Sequence, residues 1–212
     1  MAKYFLWLSK AQAPRYKFAS TQLDLWEPHA GRVIDWTRVH VDAKYLREEG
    51  IETEPHITVK YGLSCEAADA QRVLRDFGSI PVELGELDLF TTNPAFDVLI
   101  CRVESPRLHA AHALLAQDLP HRETFPNYQP HLTLAYVAKG ACADLVGQRP
   151  FPTSEFWFST VTFSGRDGTK TPLALRTLDF RDDDRDVLES GLGMVFPPRM
   201  PGLLRVLDRR AD

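Results

Sequence analysis

Glu54-Pro-His-Ile-Thr-Val-Lys-Tyr61 and Gln129-Pro-His-Leu-Thr-Leu-Ala-Tyr136 are the two stretches on which the fold turns. Both read Pro-His-apolar-Thr-apolar-x-Tyr, and the second histidine follows the first by 75 positions. With 7 His and 14 Thr in 212 residues, about half of one His-x-Thr is expected by chance, so one copy carries no weight. Two copies that agree at Pro, His, Thr and Tyr point to a repeat. Side chains alternate along a strand, so His56, Thr58 and Lys60 are expected on one face and Ile57, Val59 and Tyr61 on the other, apolar face. The second copy sorts the same way, with His131 and Thr133 set against Leu132, Leu134 and Tyr136. Both tyrosines are thereby expected in the core.

Working outward, residues 3–9 (Lys-Tyr-Phe-Leu-Trp-Leu-Ser) read as a buried central strand, being short, aromatic and aliphatic. Residues 11–49 show little periodicity and read as a long loop, with Arg38-Val-His-Val as a short strand. Ala67, Ala70, Leu74 and Phe77 make one stripe of a helix over 66–77 that ends at Gly78, and Ser105-Pro106 supplies the cap and first residue of a second helix. Between the helices, Pro81 to Phe90 and Phe96 to Glu104 form two strands. After His131 to Val137 come a short helix near Ala141 to Val146 and strands at Glu155 to Phe163 and Pro172 to Asp179, the last two joined through Gly165-Arg-Asp-Gly168. The order implies an α+β fold of two pseudo-symmetric β-rich lobes, with helices packed outside and a central cleft. Residues 1–178 form this domain, and 179–212, with Asp182-Asp-Asp184 as a solubilising run, form a C-terminal tail.

The composition, 44% hydrophobic and 25% charged, supports a packed domain and excludes a disordered or fibrous chain. A net charge of -4 lacks the broad positive surface of a duplex binder, so no duplex nucleic acid is expected as partner. No apolar run approaches the roughly 20 residues that cross a bilayer, so no membrane partner is expected either. Cys65, Cys101 and Cys142 have no paired spacing, which argues against a disulfide framework or a thiolate zinc site and fits a cytoplasmic setting. His109 and His112, three apart on the second helix, have no carboxylate partner at ligand spacing and are expected on a solvated face.

If the polar faces of the two motifs meet, two imidazoles and two hydroxyls converge. A neutral imidazole removes a proton from an attacking hydroxyl, and a protonated one delivers a proton to the leaving oxygen. Each threonine donates to a phosphate oxygen as charge develops on it. The expected catalytic residues are thus His56, Thr58, His131 and Thr133, with no cofactor and no metal. Lys60 is expected to add positive charge. Phe90 and Phe163, each near a strand end at a similar offset from its histidine, are expected to be aromatic walls that hold bases.

Two His-x-Thr motifs in two β-rich lobes resemble the 2H phosphoesterase superfamily over roughly residues 1–178. That resemblance implies cleavage of 2',3'-cyclic phosphates, 2'-5' linkages or cyclic nucleotides by the two histidines. Residues Gly50 to Leu63 and Thr162 to Lys170 look most like bacteriophage anti-CBASS nucleases, which degrade cyclic oligonucleotide messengers. The resemblance implies a small cyclic nucleotide as substrate and, for a phage-encoded chain, the host cytoplasm as location. Two alternatives stand beside it: an RNA-end enzyme acting on 2',3'-cyclic phosphates or 2'-5' links, and a nucleotide-binding module without catalysis.

Overall fold

The computed structural model describes residues 16–123, 127–151 and 156–176. The strand expected at 3–9 and the tail at 179–212 lie outside the described residues. Among the described residues the chain forms β1 (Ala19–Asp24), α1 (His29–His40), β2 (Leu46–Ile51), β3 (His56–Leu63), α2 (Ala67–Leu74), β4 (Ile80–Phe90), β5 (Asp97–Glu104), α3 (Pro106–Asp118), β6 (His131–Val137), β7 (Phe156–Phe158), β8 (Thr160–Ser164) and β9 (Lys170–Ala174). A single 3-10 turn, Ala43–Tyr45, leads into β2, and another, Ala143–Leu145, stands where the short helix near 141–146 was expected.

The strands form one antiparallel sheet in the order β7-β4-β5-β6-β3-β1-β8-β9, with β2 pairing with β6 off that path. The two motif strands are its centre, paired at Ile57 and Leu132. On either side the pattern repeats: β1 and then β8 flank β3, and β5 and then β4 flank β6. This gives the two pseudo-symmetric lobes. β7 and β8 sit in different lobes although Ser159 alone separates them in sequence. The sheet must therefore curl until its outer strands approach, and the parallel bridge between Gly78 and Arg176 crosses the same gap.

One face of the sheet carries the core. Leu23, Ile57, Val59, Leu99, Cys101, Leu132 and Leu134 are buried there, together with Ala70 and Leu74 of α2 and Leu108, Ala111 and Leu115 of α3. The stripe on α3 follows the i, i+3, i+7 spacing that turns one helical face inward. Both helices start where the sequence says: Ser105 Oγ accepts from Leu108 N at 3.0 Å, and Glu66 with Asp69 forms a capping box ahead of α2. Truncating a leucine such as Leu115 would cost about 2 to 5 kcal/mol, because the site is closed on all sides.

Two expectations are corrected. Residues 11–49 are not a long loop, because they hold β1, α1 and β2, and Arg38-Val-His-Val ends the helix rather than forming a strand. The buried stripe of α1 is only Ala30, Val33 and Thr37, and no side chain caps its start, so the sequence carries neither an aliphatic period nor a cap to read. The strand expected from Glu155 to Phe163 is broken at Ser159, where the chain passes from β4 in one lobe to β1 in the other. The closing hairpin is as expected: Gly165 N donates to Thr169 O at 2.8 Å, Asp167 accepts from Thr169 N, and Gly168 has φ +87°.

Candidate active site

Pairing of Ile57 with Leu132 on antiparallel strands sets the whole arrangement. Counting one residue each way from that pair places His56 beside Thr133 and Thr58 beside His131. The four side chains share the face opposite Ile57 and Leu132, and a local twofold through the central pair exchanges one His-x-Thr with the other. All four are partly exposed in a sheet whose central apolar residues are fully buried.

Both histidines are held alike. His56 Nδ1 lies 2.8 Å from Glu54 O and His131 Nδ1 lies 2.7 Å from Gln129 O, each two residues back across a proline. A carbonyl only accepts, so Nδ1 carries the hydrogen in both rings and Nε2 is left to react. Burial pushes the His131 imidazole below the usual range, against the effect of its bond to Gln129, and the charge of His56 pushes the same way as burial. His131 is therefore held in its neutral form. Among the described residues neither Thr58 nor Thr133 gives its hydroxyl a protein partner, so both are free to donate to a ligand.

Strict alternation fails after each threonine, at the same place in both strands. On β1, Thr21 pairs with Lys60 and Gln22 with Thr58, so one step of β1 faces two of β3. On β5, Leu99 pairs with Ala135 and Ile100 with Thr133, the same excess of one residue in β6. Such a bulge sets two successive side chains on one face, Val59 with Lys60 and Leu134 with Ala135, and the tyrosine after them returns to the face of the threonine. Lys60 consequently turns into the helix-covered side, where it is 1% exposed and its ammonium meets Glu123 at 2.8 Å. It does not share the histidines' face as alternation implied. Tyr61 and Tyr136 do share that face and are not core residues: Tyr61 is 40% exposed, and it pairs with Ser20, which alternates with Gln22 and Asp24 on the same side of β1.

Phe90 and Phe163 part company. The Phe90 ring stands edge-on to His131 with centroids 4.7 Å apart, so it reaches the site. Phe163 pairs with the buried Thr21 and is itself 3% exposed, so it belongs to the core and does not wall the cleft. Alternation within β8 decides this, with Val161 and Phe163 inward and Thr160, Thr162 and Ser164 outward. Further residues reach the site unannounced by any motif. Arg102 pairs across the strands with His131, and its guanidinium grips Asp88. Asp24 pairs with His56, and Lys170 bonds Glu54 at 2.6 Å with Asp24 at 4.0 Å. Their only sequence signal is their register with the motif strands, which pairing alone reveals.

Of the helix histidines, His109 is exposed as expected and His112 is corrected. His112 is not on a solvated face: its Nδ1 donates to Val59 O at 2.7 Å and its ring stacks on Tyr128 at 3.9 Å. Burial lowers its affinity for a proton. Cys101 is buried and its thiol is pushed up to about 12, which makes it inert. Among the described residues no group of three or more His, Cys, Asp or Glu is placed to hold a metal ion, and no helix is long and apolar enough to cross a membrane. What the quartet can do is accept a proton on one side of a phosphate, deliver one on the other, and donate hydrogen bonds to the oxygens between.

A family model described as the 2'-5' RNA ligase superfamily matches residues 25–170. No curated protein matches the chain in sequence. Among solved structures, Escherichia coli LigT complexed with NADP+ is similar with a TM-score of 0.54 and 18% identity, covering 75% of this chain and 95% of that one. The TT0787 protein of Thermus thermophilus gives 0.53 and 14%, covering 76% and 99%. Kluyveromyces marxianus Usb1 with uridine monophosphate gives 0.51 and 12%, covering 74% and 98%. At these identities the structures share the fold.

Proposed function

The chain belongs to the 2'-5' RNA ligase superfamily of enzymes that act on phosphodiester bonds, the 2H phosphoesterases, and from that premise we propose that it cleaves small cyclic oligonucleotides by paired acid–base catalysis without a metal. The observation that carries the chemistry is the matched pair of Nδ1 bonds to Glu54 O and Gln129 O, which leaves two Nε2 atoms facing one phosphate site. His131, held neutral by burial, is the base, and His56 is the acid.

In a 3'-5' ribose linkage His131 Nε2 takes the proton of the 2'-hydroxyl, whose oxygen forms a new bond to phosphorus. The bond to the 5'-oxygen breaks as His56 Nε2 gives that oxygen its proton, leaving a 2',3'-cyclic phosphate and a 5'-hydroxyl. The roles then reverse: His56 Nε2, now unprotonated, takes a proton from a water that enters where the 5'-oxygen left, the water oxygen bonds to phosphorus, and the bond to the 2'-oxygen breaks as His131 Nε2 gives that oxygen its proton, leaving a 3'-phosphate and restoring both histidines. Thr58 and Thr133 donate to the non-bridging oxygens, where negative charge accumulates. Two imidazoles supply both proton transfers, so a metal is not required.

The cyclic substrate is supported by the likeness of residues 50–63 and 162–170 to the anti-CBASS nucleases, and with it a role against a host immune messenger in the cytoplasm. A second reading, an RNA-end enzyme acting on 2',3'-cyclic phosphates or 2'-5' links, is favoured by the family model's own description and by neighbours whose structures hold 3'-AMP or uridine monophosphate. Purified protein in EDTA, given cyclic di- and trinucleotides, 2'-5' dinucleotides and 2',3'-cyclic mononucleotides, separates the two. Fastest turnover of the cyclic oligonucleotides supports the first reading, and turnover confined to the others replaces it with the second. Loss of all turnover on chelation, restored by zinc or manganese, overturns the metal-free mechanism.

A further inference from the structure

The two bulges do more than displace Lys60. Each brings a tyrosine to the histidines' face at the same place in its lobe, and each tyrosine meets a phenylalanine edge-on: Phe18 with Tyr61 at 6.1 Å and 81°, Phe96 with Tyr136 at 5.7 Å and 78°. Edge-on packing fixes the tilt of a ring and covers at most one of its two faces. The Tyr61 side chain is 40% exposed, unusual for a tyrosine opposite a buried sheet face. Among the described residues neither tyrosine hydroxyl is bonded to the protein.

Position makes these rings relevant to the site. Counting the bulge as one step, Tyr61 lies three strand steps from the Ile57–Leu132 pair in one direction and Tyr136 three in the other, about 10 Å each way along the central strands. A phosphate over the His-x-Thr quartet then has one aromatic ring roughly a nucleoside's length away on either side. We infer that Tyr61 buttressed by Phe18, and Tyr136 buttressed by Phe96, are two stacking subsites, so that the enzyme prefers a linkage with a nucleobase on each side of the bond it cuts. This rests on the phosphodiesterase reading and extends it to the shape of the substrate. The ends differ in charge: Lys17 Nζ lies 5.6 Å over the Phe18 ring, while Glu49 and Glu52 lie near Tyr136. A nucleotide bearing an additional phosphate is accordingly accepted at the Tyr61 end.

The test uses the full chain with Tyr61→Leu and Tyr136→Leu, which keep apolar bulk and remove the π face, and a Tyr→Trp change at each site. Binding of a 2'-deoxy dinucleotide, which lacks the attacking hydroxyl, is measured by calorimetry, so the result does not depend on turnover. Each Leu variant is expected to weaken binding about 5- to 150-fold, the worth of one stacked base, and Trp to restore it. In kinetics, a 2',3'-cyclic mononucleotide has one base and is expected to respond to only one of the two Leu variants. Unchanged dinucleotide binding in both Leu variants, or equal losses on dinucleotide and mononucleotide, overturns the subsites. Wild-type protein that binds the dinucleotide with this dependence but cleaves nothing in the panel overturns the phosphodiesterase reading and leaves the subsites standing.

Discussion

Tyr128 donates its phenolic hydrogen to the carbonyl of Thr58 at 2.7 Å, a bond between residues 70 apart in the chain. The next residue, Gln129, is the one whose carbonyl orients His131. Two consecutive residues leading into the second motif thus hold the backbone of the first and the imidazole of the second. The bulge explains why this bond is needed, since it takes the Thr58 and Val59 carbonyls out of the regular ladder, where Tyr128 and His112 pick them up. In the other lobe the Leu134 carbonyl is satisfied by backbone, from Glu52 N at 2.9 Å.

Tyr128→Phe is expected to lower stability by about 1 kcal/mol, because a partly buried carbonyl loses its donor. It is also expected to lower kcat more than it raises KM, since Thr58 loses its fixed position while the binding surface persists. Thermal melts and steady-state kinetics well below the melting temperature check this. A lower melting temperature with kcat unchanged would make the bond structural only.

Much of the site is legible because the repeat is written in chemistry that only a strand sorts: His and Thr two apart, aliphatics between. The helix cap at Ser105 is legible for a similar reason, being local. What cannot be read is what pairing decides. A bulge is a relation between two strands, so nothing within Val59-Lys60 or Leu134-Ala135 announces that Lys60 turns inward and Tyr61 and Tyr136 turn outward. Helix α1 is hidden because its buried stripe is an alanine, a valine and a threonine, and Thr37 settles its hydroxyl locally on Val33 O. Phe163 is a different case. The alternation of Val161, Thr162, Phe163 and Ser164 already places it in the core, and this is a stronger signal than the similarity of its offset to that of Phe90.

His56→Ala and His131→Ala are each expected to reduce kcat about 10²-fold or more, as the loss of a general acid or base does, with a double mutant far from additive. Thr58→Val and Thr133→Val are expected to fold normally and lose turnover. Rates for the five variants beside circular dichroism decide it, and wild-type kcat in both Val variants would leave the hydroxyls without a catalytic part.

Phe163→Ala is expected to cost about 3 to 5 kcal/mol of stability and to leave kcat/KM of the folded protein unchanged, since the ring is buried among core side chains away from the substrate. Lys60→Met is expected to act likewise on kinetics, because the ammonium meets Glu123 on the helix-covered side and not the phosphate. Denaturant melts and kinetics on both variants test the placement. A specific loss of kcat/KM in either, at full folding, would put that side chain back in the site.

Phe90→Ala tests how the base is prepared. The His131 imidazole is pushed below its ordinary range chiefly by burial, and the edge-on Phe90 ring at 4.7 Å is part of what keeps water from it. Opening that side restores solvent, favours the charged form and raises the pKa. A base must be unprotonated to act, so the acidic limb of the kcat profile is expected to move to higher pH in Phe90→Ala while the basic limb, which reports the acid, stays in place. The same linkage acts on stability. Because His131 binds its proton less readily folded than unfolded, its contribution is present above the unfolded value near 6.5 and is lost as pH falls from there through the lower folded value; the variant should therefore lose less stability than wild type as pH falls below about 6.5. A pH titration of kcat together with melts across that range measures both. An acidic limb that stays in place would show that the surroundings other than Phe90 set the His131 proton affinity, and a limb moving to lower pH would remove His131 from the role of base.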